Sequence, residues 1–347
     1  MSEASTTQSY LDTEKYISDI LATIERERER EIVARRFGLF DRRETLEQIG
    51  ELLGITRERV RQLEKVIITK LKAAGDKLPH IDELQALFIT HLGGMGQAAR
   101  ISNLSAVITK DNSRIEQARI AFFAELCPKL AVIDENDFYY HALGITEAND
   151  EKAMKAQIEN IIKAVKKINE PVTIDKIAVE AKINDPKQAE ALASISKQLA
   201  TLNGRWGLIK WPMVNPKNIR DKIYVILKEN GKQMHFNEIA AAIKESSFKR
   251  KDVTTQAIHN ELIKDSRFVL IGRGIYALKE WGYKKGTVSD IIAEVLREAG
   301  EPLHRDEIVQ RVLKSRFVKE TTILLNLQGK PQFKRVAKAT YGLAETE

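Results

Sequence analysis

Apolar positions recur at helical spacing along most of the chain, and the breaks in that rhythm divide it into segments. From Tyr10 to Arg36 the pattern predicts helix, with Tyr16, Ile20 and Ile24 on one face. Its later part, Arg26-Glu27-Arg28-Glu29-Arg30-Glu31, alternates in sign and reads as a solvated face carrying local ion pairs. Between Glu44 and Lys65 the rhythm splits into two shorter helices. Thr45 can cap the first, with Gln48 three residues on to complete a capping box. Gly54 suits a left-handed C-cap, and Thr56 can cap the helix that follows.

A helix, a tight glycine turn and a second capped helix are the parts of a helix-turn-helix. In the second helix Val60, Leu63, Ile67 and Leu71 form an apolar stripe, expected to pack on Ile49, Leu52 and Leu53. Arg57, Glu58, Arg61, Gln62 and Lys65 fall on the other side. That face suits a DNA major groove, where Arg57 could reach guanine, Glu58 a cytosine amino group and Gln62 adenine or a phosphate. Lys70 and Lys72 lie too far along for bases and would meet phosphates. The alternative is an exposed charged helix in a bundle.

The C-terminal half repeats itself. Met234-His235-Phe236-Asn237-Glu238-Ile239 and Leu303-His304-Arg305-Asp306-Glu307-Ile308 lie 69 residues apart, the same offset as Gly231 and Gly300. Both copies close on aromatic strands, Gly274-Ile275-Tyr276-Ala277-Leu278 and Thr340-Tyr341-Gly342-Leu343. A weaker copy spans Ile161–Trp211. Each reads as three helices and a β-hairpin, a winged helix. A diverged fourth copy is expected over 80–145, with a helix at Ile115–Leu126 and a hairpin of Ala131-Val132-Ile133 and Phe138-Tyr139-Tyr140. The expected fold is mainly α: an N-terminal helix-turn-helix domain followed by tandem winged-helix (α+β) modules. Its divisions are a disordered tail at 1–9, the helix-turn-helix domain at 10–75, a helical stretch at 76–150, and winged modules at 154–214, 217–283 and 288–345.

Composition narrows the function. Apolar residues at 43% can fill cores, and no run of about 18 of them occurs to cross a membrane. The N-terminus has no signal-peptide order, and one cysteine, Cys127, excludes internal disulfides and cysteine-based metal cages. A cytoplasmic location is expected. The net charge is +7, and residues 217–286 hold fifteen lysines and arginines against eight acids. Such a segment attracts nucleic acid, although a solvated lysine-rich surface would look the same. Within it Lys249, Arg250, Lys251, Thr254, Thr255 and Gln256, at the start of a third helix, form a possible second DNA contact. The equivalent helix of the last copy, Thr321–Leu327, is apolar and expected to serve core or protein contact. Trp206 and Trp211 could stack on bases but fit better as hairpin packing.

Residues 29–72 resemble region 4 of the sigma-70 family of bacterial RNA polymerase sigma factors. The resemblance rests on Ile32-Val33-Ala34-Arg35-Arg36-Phe37-Gly38-Leu39, on Thr45-Leu46-Glu47-Gln48-Ile49-Gly50, and on Thr56-Arg57-Glu58-Arg59-Val60-Arg61-Gln62-Leu63-Glu64. It implies that this helix recognises the promoter −35 element and that the segment docks on the β-subunit flap of RNA polymerase. Carried over, Arg57, Glu58 and Gln62 would touch bases, while Arg59, Arg61 and the helix start at Thr45-Leu46 would touch backbone. The order Glu64-Lys65-Val66 shifts the last basic contact by one residue. Aromatics are only 6%, and no aromatic-rich segment for melting the −10 element is found. The C-terminal copies resemble HARE-type winged helices, as in the delta subunit of RNA polymerase.

Catalysis is not expected. His235 and His304 recur at equivalent repeat positions and read as structural, Gly93-Gly94-Met95-Gly96 lacks a phosphate-loop lysine, and Cys127 has no nearby histidine. No cofactor or metal is implied. Two readings remain: a DNA-reading transcription factor working with polymerase, or a protein-interaction scaffold or delta-like accessory subunit whose winged helices bind protein.

Overall fold

The structure is a computed structural model that describes residues 10–147, 150–250 and 252–344. The expected disordered tail at 1–9 lies outside them. It is mainly α with small antiparallel sheets, and the chain divides into two compact units, one ending at Ile209 and the other beginning at Lys210.

The first helical stretch is broken where one helix was expected. α1 (Thr13–Ala22) and α2 (Glu27–Phe37) are separated by a turn in which the Thr23 hydroxyl donates to the Ile20 carbonyl at 2.7 Å. The turn lets Ile24 fold back into the core instead of following the helix outward. The sign-alternating run carries a local pair, Arg26–Glu29 at 3.3 Å, with Arg26, Glu27 and Arg28 exposed, while arginines of α2 also reach beyond their own helix. Arg35 reaches Glu44 at 2.8 Å, Arg36 reaches Glu64 at 3.2 Å, and Arg28 donates to the Leu53 carbonyl. These arginines tie α2 to the two helices that follow, α3 (Leu46–Leu53) and α4 (Arg57–Ala74).

The next segment runs α5 (Ile81–Gly94), β1 (Ala98–Arg100), α6 (Ile101–Ile108), α7 (Arg114–Leu126), β2 (Leu130–Ile133) and β3 (Ala142–Ile145), with sheet order β1-β3-β2. The returning strand is Ala142–Ile145, not the aromatic run Phe138–Tyr140. That run is diverted: Tyr139 bridges Ser196, and the Tyr140 N–H donates to the Ile195 carbonyl at 2.9 Å.

A second copy follows as α8 (Glu151–Ile168), α9 (Ile174–Ala181), α10 (Pro186–Ile195), β4 (Leu199–Leu202) and β5 (Arg205–Leu208). Its third strand is reduced to a single bridge between Val172 and Trp206, and the Trp206 ring is buried under the hairpin. Gly96 joins these two copies. It holds φ +85°, and a Cβ there would lie 2.4 Å from the Lys187 carbonyl oxygen near the start of α10. Only a residue without a side chain permits that approach.

The second unit repeats the topology twice. α11 (Ile219–Asn230), β6 (Met234–His235), α12 (Phe236–Glu245), α13 (Thr255–Lys264), β7 (Phe268–Gly272) and β8 (Ile275–Leu278) are matched in order by α14 (Val288–Ala299), β9 (Leu303–His304), α15 (Arg305–Ser315), α16 (Glu320–Gly329), β10 (Phe333–Ala337) and β11 (Thr340–Leu343). Sheet orders β6-β8-β7 and β10-β11-β9 are equivalent. The repeated histidines have a local role, since His235 and His304 are the N-caps of α12 and α15 and their Nδ1 atoms accept from Asn237 and Asp306 N–H groups.

One apolar core occupies most of the first unit. It joins Ile17 and Ile20 of α1, Val33 of α2, Ile67 and Leu71 of α4, Phe88 of α5, Phe122 and Phe123 of α7 and Leu143 of β3. The helix-turn-helix is therefore built onto the first winged module, with no gap in the packing at 75–76. Its own small cluster, Ile32, Ile49 and Val60 with Leu46, Leu53, Ile55 and Leu63 around them, lies under α3 and α4.

Candidate nucleic-acid interface

Each end of the helix-turn-helix is fixed by the local chemistry its sequence predicts. The Thr45 hydroxyl accepts from the Gln48 N–H at 3.2 Å, and the Gln48 amide oxygen accepts from the Thr45 N–H at 2.9 Å. Gly54 turns the chain at φ +63°, and Thr56 caps α4 by accepting from the Arg59 N–H at 3.2 Å. Gly50 is buried where α3 meets the turn, and a Cβ there would lie 2.7 Å from the Ile55 carbonyl oxygen.

Val60, Ile67 and Leu71 face inward as expected, and Leu63 is half-buried. Leu52 does not join them; it is 54% exposed, because Leu53 and Ile49 already fill the space above Val60. Thr45, Thr56, Arg57, Glu58, Arg59, Arg61, Gln62 and Lys65 are all exposed. Leu46 is different. Its side chain packs on the Ile32–Ile49–Val60 cluster, so it can offer a phosphate only its backbone N–H at the start of α3.

The outer face of α4 is knitted together by its own side chains. Arg61 donates to Glu58 at 2.7 and 2.9 Å, Gln62 donates to Glu58 at 3.4 Å, and Arg59 donates to Gln62 at 3.4 Å. The hydrogen bond from Arg61 holds the Glu58 carboxyl below its ordinary range, so Glu58 stays an acceptor at neutral pH. Exposed pairs of this kind open at little cost.

Farther along α4, Lys70 is exposed, but Lys72 is engaged by Glu125 of α7 and is not free for phosphate. A cleft of about 1160 Å³ lies along this part of the helix. Its walls bring in cations that no motif marked: Arg42 and Arg43 before α3, and Arg114 at the start of α7. The adjacent pair Arg42-Arg43 is a signal visible in the sequence. Arg114 reaches the cleft only through the fold.

In the second unit α13 begins at Thr255, with Thr254 as its cap accepting from the Ala257 N–H at 3.2 Å, so of the six expected contacts only Thr255 and Gln256 lie on the helix. Lys251 lies outside the described residues. Lys249, Arg250, Thr254 and Gln256 are exposed and Thr255 is half-buried. Arg250 has φ +54°, and its carbonyl accepts from Lys222 at 2.6 Å, which turns the loop ahead of the helix.

Among the described residues, no group of three or more His, Cys, Asp or Glu residues could hold a metal ion, and no helix is long and apolar enough to cross a membrane. Cys127 is buried, and burial pushes its thiol up to about 12, so it is no nucleophile at neutral pH.

Residues 26–73 match the family described as Sigma-70, region 4. Over 57 residues the chain is 46% identical to the RNA polymerase sigma factor SigA of a Bacillus species, a span covering 16% of this chain and 15% of that protein. Over 46 residues it is 50% identical to the RNA polymerase sigma factor sigB of Arabidopsis thaliana, covering 13% and 8% respectively. The chain thus spans only a small part of the length of these curated relatives, and the likeness is confined to the helix-turn-helix segment. That segment is a sigma region 4-like element of the DNA-binding, transcription-related kind. The winged modules lie beyond the matched residues.

Proposed function

We propose that this protein is a transcription factor that grips duplex DNA through α3 and α4 and works in association with RNA polymerase. Arg57, Glu58 and Gln62 read base edges. Thr45, Leu46 through its N–H, Thr56, Arg59, Arg61 and Lys65 hold the phosphate backbone. The reading is carried by one observation: a sigma region 4-like segment whose two caps, turn and polar outer face are all intact and open. A second grip falls to the third winged module, through Lys249, Arg250, Lys251, Thr254, Thr255 and Gln256. Docking on the polymerase β flap belongs to the same proposal.

Duplex binding measured against salt tests it. Arg57→Ala is expected to relax sequence preference by roughly 1–3 kcal/mol. Arg61→Ala should flatten the log–log salt dependence by about 0.9. If the double variant binds with unchanged preference and slope, the reading fails. Co-purification with the isolated β flap tests the polymerase link separately.

A specific observation favours a second reading, a scaffold of HARE-type or delta-like modules. α16 presents Leu325, 68% exposed, at the position where α13 carries Asn260. Such a helix suits a protein surface better than phosphate, and the two readings are compatible in one chain.

A further inference from the structure

α4 is longer than a major groove needs. Its eighteen residues extend about 27 Å at 1.5 Å per residue, whereas the groove is about 12 Å wide. With Arg57, Glu58 and Gln62 at base edges, the distal half of the helix must leave the groove, where a phosphate ridge passes. Arg57, Arg61, Lys65, Thr69 and Lys72 recur every three or four residues, so the reading face continues down α4 without a break. Arg61, Lys65, Thr69 and Lys72 all line the cleft of about 1160 Å³ described above.

The charges in that cleft are unevenly neutralised. Arg36 is paired with Glu64, Arg61 with Glu58, Lys72 with Glu125, and Glu135 on the far rim with Lys197. Lys65, Arg42 and Arg114 are exposed and make no ion pair or side-chain hydrogen bond among the described residues. Arg43 spends only its Nε, donating to the Arg36 carbonyl at 3.2 Å. Four cations on three separate elements around one cleft are thus without an ion pair, against two carboxylates of the lining, Asp41 and Asp134, that likewise make none among the described residues. Arg114 stands at the N-terminus of α7, whose helix dipole adds to the positive field.

We propose that this cleft is a seat for the phosphodiester backbone of the same duplex that α4 reads, with Arg42, Arg43 and Arg114 as the contacting cations. The inference rests on the proposed DNA reading; Arg42 and Arg43 belong to the sigma-like segment, and Arg114 extends the site beyond it, onto the first winged module. A phosphate strand is favoured over an acidic peptide because the cleft shares Arg61 and Lys65 with the reading face. The carboxylates on its far rim, Asp134 and Glu135, bound the path on the wing side.

The test uses the full chain, a duplex carrying a promoter −35 element and a scrambled duplex of equal length. Arg42→Ala with Arg114→Ala is expected to weaken both duplexes alike, with the preference between them kept and the salt slope flattened by about 1.8, two contacts at about 0.9 each. Arg114→Glu alone should weaken binding more than Arg114→Ala, at an unchanged melting temperature. An unaltered slope in the double variant overturns the proposal. So does unaltered DNA binding together with lost binding of a polyglutamate peptide, which would give the cleft to an acidic protein segment. Arg57→Ala separates the two levels. If it leaves preference intact while the double variant flattens the slope, base reading by α4 fails and the backbone seat stands. A wild-type chain that binds neither duplex overturns both.

Discussion

The first and third winged modules share one topology and place their third helices in opposite surroundings. In α7, seven residues from Arg119 to Leu126 are buried, including Phe122 and Phe123, and the helix packs into the core that also holds α1 and α4. One of its two arginines is also used internally. Arg119, 6% exposed, donates to the Leu39 carbonyl at 2.8 Å and to Thr13, Glu14 and Glu116. In α13 only Ile258 and Leu262 are buried, and Gln256, Asn260 and Ile263 face outward. α10 sides with α7, with Ala189, Leu192 and Ile195 buried, whereas α16 sides with α13, with Ile323 and Leu327 alone turned in. A winged helix that binds through its third helix must leave it open. In the first two modules the third helix is packed into the core, and in the last two its outer face is open.

The largest expected effect follows from that contrast. Phe122→Ala should cost about 3–5 kcal/mol in a denaturant titration of the full chain, because it empties a fully buried site in a shared core. A cost under 1 kcal/mol would mean that α7 is not packed into the core as described. Gly96→Ala comes next, at about 1–3 kcal/mol, since both the positive φ and the Lys187 carbonyl oppose a Cβ. Gln256→Ala and Ile263→Ala on α13 should stay within about 0.5 kcal/mol of the parent, as exposed changes do. Any larger loss would show that α13 is covered after all.

A smaller effect concerns pH. Burial holds His141 below its ordinary value, with Arg43 acting in the same direction and Asp134 and Glu135 opposing it. The unfolded chain therefore takes up a proton at His141 before the folded one does. Its contribution is complete above about pH 6.5 and is lost as the pH falls below that value. Melting temperatures recorded across this range should decline on the acid side, and His141→Asn should flatten the decline.

What could be read in the sequence was what short-range chemistry determines. Thr45, Gln48, Gly54 and Thr56 cap and turn their helices within a few residues of themselves, so the helix-turn-helix was plain from spacing. The 69-residue offset exposed the repeated C-terminal modules in the same way. Long-range choices were hidden. Periodicity marks α7 as having apolar faces but not what covers them, and it placed Leu52 inward although Leu53 and Ile49 fill that space. The aromatic run Phe138–Tyr140 looked like a strand because it has the composition of one. Its pairing partner is Ser196 in the next module, and the plainer Ala142–Ile145 takes the sheet position. Arg114 could not be assigned to any site from sequence, since its place beside α4 exists only once α7 is packed.

The unbroken packing from α1 through α4 to α7 has a kinetic meaning as well. Backbone amides in the distal half of α4 lie over Ile67 and Leu71, which are held by the same core as Phe122 and Phe123. They are expected to exchange with solvent only when that cooperative unit opens, whereas the amides of α13, which buries only Ile258 and Leu262, are expected to exchange through local fraying. The helix proposed to meet DNA first is thus anchored in a core that reaches well beyond the segment resembling sigma region 4.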